Sequence, residues 1–214
     1  MPRVFLSAGH GGNDPGAVAN GLKEKDVNLT IMLACNDVLV KHGITTVSSR
    51  IKDENDTVSQ EVQDANRSGA DIAISFHTNA GGGDGSESLY FGGSAKGKKL
   101  AELCEKHVKA IGQNSRGAKK RNDLHFIKAT NMPAVLCECA FIDNDKDHKS
   151  VNTASKQKAF GVAYAKAILE YFGIEYKNKT YTVQVGTYTS EDNAKKALQK
   201  AKNAGFSDAF IKTK

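Results

Sequence analysis

Apolar positions follow two rhythms along this chain: short unbroken runs, and longer stripes at helical spacing. Val4 to Ala8, Ile44 to Ser48, Ile72 to Phe76, Ser86 to Phe91, Leu124 to Lys128 and Ala134 to Glu138 read as six short strands. Between them, Val27, Ile31, Ala34, Val38 and Leu39 mark a helix over 24–42 that His42-Gly43 ends. A second helix over 57–69 closes at Gly69, and Leu100, Leu103, His107, Val108 and Ile111 mark a third. Phe160, Tyr164, Ala167, Ile168 and Tyr171 mark a long helix ending at Gly173. Strands interleaved with helices predict an α/β fold, a largely parallel six-stranded sheet flanked by helices. The last residues predict a small β-α-β unit: strand Tyr181 to Gly186, a helix capped by Ser190, and strand Ala209 to Ile211. The division expected is 1–175, a polar linker at 176–179, and 180–214.

The chain has 214 residues, 39% apolar and 25% charged, enough for one well-packed domain and a small appendage. No apolar run reaches the roughly 20 residues of a membrane-spanning helix. Pro2-Arg3 leads straight into a strand, so no secretory signal peptide is expected. Cys35, Cys104, Cys137 and Cys139 have no CxxC spacing and read as small buried apolar residues in a reduced compartment. A net charge of +6 favours an anionic partner. No nucleic-acid-binding motif accompanies it, whereas a bacterial wall rich in anionic polymers fits. Lys119-Lys120-Arg121 reads as a solvated loop.

Candidate chemistry gathers where strands end. The first strand runs into Gly9-His10-Gly11-Gly12, and the strand over 72–76 runs into His77. Open α/β sheets bind ligands at the carboxyl edge of their strands. Glu24 follows a Gly-rich loop at a helix start. His10, Glu24 and His77 are the donor types of a catalytic zinc that keeps one position open. Glu138 is the single carboxylate in the apolar run Ala134 to Cys139, on the face opposite Cys137 and Cys139. A carboxylate there is costly unless paired or beside a metal. Beside a metal it can take a proton from water and return it to a leaving nitrogen. Each residue has a plainer reading alone: His10 as a loop residue, Glu24 facing the helix dipole, His77 at a strand end, Glu138 in an ion pair.

The segment Val4-Phe5-Leu6-Ser7-Ala8-Gly9-His10-Gly11-Gly12-Asn13-Asp14-Pro15-Gly16-Ala17 resembles the opening motif of the zinc-dependent N-acetylmuramoyl-L-alanine amidases of the Amidase_3 type. Glu24-Lys25-Asp26-Val27-Asn28-Leu29, Ala65-Asn66, and Ser75-Phe76-His77-Thr78-Asn79-Ala80 are similar to further motifs of that family. So is Met132 to Glu138 followed by Phe141-Ile142-Asp143-Asn144. The resemblance runs from about Arg3 to Phe172. It implies that His10, Glu24 and His77 hold one Zn2+ and that Glu138 is the catalytic glutamate. It also implies hydrolysis of the amide between N-acetylmuramic acid and L-alanine in peptidoglycan.

Two departures stand out. Glu61 occupies a place where the family often has arginine, and Ala140 one where glycine is usual. His125 is read on a strand, either facing the pocket toward substrate or packed within the strand. Asn79 is read as lining the cleft beside His77.

Tyr181-Thr182-Val183-Gln184-Val185-Gly186-Thr187-Tyr188 looks like the first half of a SPOR domain, a glycan-binding module of peptidoglycan. Half a module is too short to bury its sheet face alone. It predicts a homodimer through 180–214, packing on the larger domain, or fraying. The competing functions are a zinc peptidase or deacetylase on the same site and a non-catalytic wall-binding protein. The resemblance points to a phage endolysin or an autolysin, made in the bacterial cytoplasm and reaching the wall after holin-mediated release.

Overall fold

A computed structural model describes residues 1–177, 184, 186–207 and 209–213. The chain divides into two compact units, Met1–Lys177 and Asn178–Lys214. The first is built on a six-stranded sheet of β1 (Arg3–Ala8), β4 (Thr45–Ser48), β5 (Ile72–Asn79), β6 (Ser86–Phe91), β7 (Ser115–Arg121) and β8 (Ala134–Phe141). Its spatial order is β4-β1-β5-β8-β6-β7. The first four in that order run parallel; β6 runs antiparallel to β8 and parallel to β7. The carboxyl ends of β1, β5 and β8 therefore share one edge with the amino ends of β6 and β7. A two-stranded ribbon, β2 (Val18–Ala19) and β3 (Leu22–Lys23), leads into helix α1 (Glu24–Lys41).

Alternation along the strands builds two cores. On one face Leu6, Ile74, Phe76, Val135 and Cys137 pack with residues of α1, α3 (Ala95–Ala110) and α6 (Ala154–Tyr171). On the other, Phe5, Ala73, Leu89 and Leu136 pack with Val62 and Ala65 of α2 (Val58–Ser68) and Phe126 and Ile127 of α4 (His125–Ala129). A short helix, α5 (Asp145–Val151), follows β8. Helix α2 starts at Thr57, whose side chain accepts from the Gln60 N–H, and stops at Gly69 in a left-handed conformation. All four cysteines are buried free thiols. Among the described residues, no helix is long and apolar enough to cross a membrane.

Two expected elements are different. Leu124 to Lys128 is not a strand: Leu124 caps helix α4. Phe126 and Ile127 are both buried against the same helix-covered face, whereas neighbours in a strand point to opposite faces. The sixth strand is β7, which includes the Lys119-Lys120-Arg121 expected in a loop. As an edge strand it has one partner and no fully buried residue, so apolar patterning does not mark it.

In the second unit, α7 (Glu191–Asn203) is present and Ser190 accepts from the Asn193 N–H, as its sequence expects. The expected strand Tyr181 to Gly186 lies largely outside the described residues. Ala209 to Ile211, expected as a strand, has no regular structure.

Candidate active site

The edge shared by β1, β5 and β8 brings three of the candidate residues together. His10 follows β1, Glu24 is the first residue of α1, and His77 lies near the end of β5. Each offers one ligand atom, and the three atoms lie within 4.8 Å of one another. Glu24 Oε1 is the hub, 3.3 Å from His10 Nε2 and 3.0 Å from His77 Nδ1. Two imidazoles and one carboxylate at such spacings suit zinc, whose bonds to these donors are about 2.0–2.2 Å long.

The backbone around this cluster is shaped to admit it. Gly9 has no room for a side chain, because a Cβ there would stand 2.1 Å from the His77 ring. At Gly16 a Cβ would meet Glu24 Oε2 at 2.6 Å and the His10 ring at 2.8 Å. His10 itself holds a positive φ of 65°, a strained conformation for a residue with a side chain. Arg50, fully buried, anchors the loop from below. Its Nε donates to the Ala8 carbonyl at 2.9 Å and its Nη2 to the Lys25 carbonyl at 2.8 Å. Lys25 adds a bond to the Gly12 carbonyl at 2.8 Å.

Each ring and carboxylate is also held from behind. Asp14 Oδ2 lies 2.8 Å from His10 Nδ1, which leaves Nε2 facing Glu24. The Ala17 N–H donates to Glu24 Oε2 and the Thr78 N–H to Oε1. Burial pulls the Glu24 carboxyl upward, but the bonds from His10 and His77 outweigh it and hold the group well below the usual range. The bond to Glu24 lifts His10 to about 9. Burial lowers His77, yet the bond to Glu24 and the field of Glu138 leave it raised. Without a cation, the cluster is a strongly acidic carboxylate between two proton-hungry rings, and a divalent ion satisfies all three.

Glu138 is the register partner of His77 across the β5–β8 pair. Phe76 and Cys137, one residue back, face the other core, so His77 and Glu138 point to the same side of the sheet. Its Oε2 is buried with no hydrogen-bond partner among the described residues. Burial pushes its carboxyl up to about 7, close to where a general base and acid at neutral pH is most effective.

The other two expected residues do not join the four. His125 is an exposed first residue of α4, neither packed in a strand nor bonded to the cluster among the described contacts. Asn79 turns its Oδ1 onto the Ala80 N–H at 2.9 Å and so shapes the loop after β5. That loop is tied down: Asp143 accepts from the Gly81 and Gly82 N–H groups and Asp147 from Gly85. No motif in the sequence assigns a role to Asp14 or Arg50. Asp14 carried a signal, a carboxylate four residues after a candidate histidine ligand. Arg50 carried none, because its partners are carbonyls.

Comparison with known proteins agrees with this geometry. The family described as N-acetylmuramoyl-L-alanine amidase (Amidase_3) matches residues 4–170. The SPOR domain matches 156–213, beginning within α6 rather than at 180. The sporulation-specific N-acetylmuramoyl-L-alanine amidase of Bacillus subtilis (strain 168) is 31% identical over 217 residues, covering 99% of this chain and 85% of that one. The endolysin of Bacillus phage SPP1 is 32% identical over 212 residues, covering 95% of this chain and 78% of its own. The catalytic domain of CwlV, an N-acetylmuramoyl-L-alanine amidase from Bacillus (Paenibacillus) polymyxa var. colistinus, superposes with a TM-score of 0.76. It is 29% identical, and the match covers 82% of this chain and all of that domain. With the family matched over residues 4–170 and the fold shared with its solved members, this chain belongs to the Amidase_3 family of N-acetylmuramoyl-L-alanine amidases.

Proposed function

We propose that this protein hydrolyses the amide between N-acetylmuramic acid and L-alanine in bacterial peptidoglycan, as an endolysin or autolysin, with one zinc ion per site. The observation that carries the reading is the convergence of His10, Glu24 and His77 with Glu138 beside them. The relatives named as amidases and as an endolysin support it.

His10 Nε2, Glu24 Oε1 and His77 Nδ1 are the atoms that would hold the ion. When bound there, zinc supplies a Lewis acid that polarises the amide carbonyl and acidifies water. Asp14 fixes the His10 ring so that Nε2 faces the ion. Glu138 takes the proton of the attacking water on its unpartnered carboxylate and returns it to the amide nitrogen as the C–N bond breaks. Burial raises this carboxyl above the ordinary range, and a cation beside it draws it back toward the charged form, the form that accepts the proton.

We assign 1–175 as the catalytic domain, 176–179 as a linker and 180–214 as a half-SPOR-like segment for wall binding. The SPOR match supports that role. The second unit is below the roughly 40 residues at which small domains fold unaided. Its helix α7 has no buried residue, and Phe206 and Phe210 are exposed. A homodimer joined through 180–214 would cover such surface. Light scattering on the intact chain and on one ending at Phe172 tests this, and equal monomeric masses rule it out.

The decisive experiment for the reaction is metal content together with product analysis on purified peptidoglycan. The expected result is one zinc per chain and new L-alanine amino termini with the glycan intact. Release of acetate, or of peptides cut within the stem, would replace this reading with a deacetylase or a peptidase.

A further inference from the structure

The row of side chains that holds His77 and Glu138 continues outward across the sheet. Glu87 on β6 is the register partner of Glu138, and its carboxylate is buried. Two cations from edge strand β7 close on it. Arg116 Nε lies 2.9 Å from Glu87 Oε2 and Lys119 Nζ lies 2.5 Å from the same oxygen. A register shift between Ser86 and Ser88 lets residues three apart on β7 reach one carboxylate on the same face. Two cations share one anion, so the group carries one formal positive charge in excess. The Arg116 guanidinium carbon lies 5.2 Å from the centre of the Phe141 ring, within cation–π range. Only Nε is engaged among the described residues; both Nη groups are without a hydrogen bond there. Arg116 and Lys119 remain 37% and 40% exposed, open to a ligand, while their counter-ion is sequestered.

We propose that Arg116 and Lys119, held on Glu87, form a carboxylate subsite that reads the free α-carboxylate of the γ-linked glutamate following L-alanine in the stem peptide. The proposal rests on the amidase reading above. Its geometric ground is reach. Strand β7 is two strand spacings from β8, roughly 9–10 Å across the sheet from Glu138. An amide nitrogen poised at Glu138 belongs to L-alanine, and the carboxylate of the next residue lies at most about 7 Å along the peptide. The two side chains span the remainder. An arginine with its outer fork open presents the planar pair of donors that a carboxylate accepts best, and Lys119 adds a point charge. Neither cation is needed for the proton transfers at Glu138, so the subsite acts on substrate choice.

The test compares two zinc-loaded chains on two peptidoglycans that differ only at that glutamate, one with the free α-carboxylate and one with the α-carboxamide. The wild-type chain is expected to show a kcat/KM about tenfold higher on the carboxylate form, the range of a charge-assisted hydrogen bond. The triple variant Arg116→Gln, Lys119→Gln, Glu87→Gln leaves no buried carboxylate unpaired, and its ratio is expected to fall toward one. If the triple chain does not fold, Arg116→Gln alone keeps Lys119 on Glu87 and is expected to reduce the ratio. Equal rates of the wild-type chain on both polymers, or an undiminished preference in the variants, overturns the subsite. Absence of cleavage on either polymer overturns the amidase reading itself, a distinct result.

Discussion

His77 and Glu138 are direct neighbours across parallel strands β5 and β8, on the same face of the sheet. The proposed zinc ligand and the proposed proton carrier are thereby set side by side by backbone register. No loop has to close to assemble them. The relationship also separates their roles. His77 Nδ1 is engaged with Glu24, while Glu138 Oε2 has no partner.

Glu138→Gln is therefore expected to keep the metal and lose the reaction. Zinc content measured by mass spectrometry should stay at one per chain, and turnover on peptidoglycan should fall about 10²–10⁴-fold. His10→Ala, Glu24→Ala and His77→Ala should each lose both. A Glu138→Gln chain that no longer binds zinc would recast Glu138 as a ligand.

The pH profile of the reaction follows from the same carboxyl. Burial raises Glu138 to about 7 in the metal-free site, and a cation nearby favours its charged form and pulls it down again. Activity should rise with pH as the base form appears, with its midpoint between the ordinary carboxylate range and pH 7. The limb of kcat/KM against pH gives that midpoint, and it should vanish in Glu138→Gln.

Asp14→Asn should weaken metal binding without removing it. The Asp14 carboxylate orients the His10 ring through Nδ1 and, in the proposed zinc site, would strengthen it as a ligand. Such outer partners typically contribute 10- to 100-fold in affinity. Competition with a chelator of known affinity reads the change directly. Asp14 is exposed, so the melting temperature of the metal-free chain should move little.

Much of this site is legible in the sequence because its parts sit on strongly patterned elements. The runs ending at His10 and His77 are apolar and short, and the helix starting at Glu24 has an apolar stripe, so strand ends and a helix start locate the residues. Glu138 stands out as one charge in a buried strand. What escapes is held by other physics. Strand β7 is an edge, half-wet and rich in Arg and Lys, and its place comes from pairing with β6 rather than from apolar alternation. Helix α4 is only five residues long, too short for a helical period to separate it from a strand. Arg50 bonds to backbone carbonyls, which every residue owns, so no sequence pattern announces it.

Arg50 accordingly makes a sharp prediction. Its side chain is buried and joins the Ala8 and Lys25 carbonyls on either side of the loop that carries His10. Arg50→Met fills similar space but leaves those acceptors unpaired, at about 1–3 kcal/mol each. Chemical denaturation should show a clear loss of stability, and zinc affinity should fall with it as the loop loosens. Arg50→Lys should recover little, because one ammonium cannot serve both carbonyls from a fork's positions.

Glu61 carries the remaining prediction, on stability against pH. It is 2% exposed on α2, and desolvation raises its carboxyl above the ordinary value, with the fields of His77 and His10 opposing less strongly. A carboxyl raised on folding stabilises the native chain in its protonated form, fully so below its unfolded value. That contribution is lost as pH rises through the folded value. Glu61→Gln keeps the shape and removes the buried charge. In chelator, its melting temperature should exceed that of the wild-type chain at pH 8, and the gap should close as pH falls toward 4. A gap of the same size at both pH values would mean that packing or hydrogen bonding at this position, rather than the cost of burying an ionised carboxylate, sets its effect.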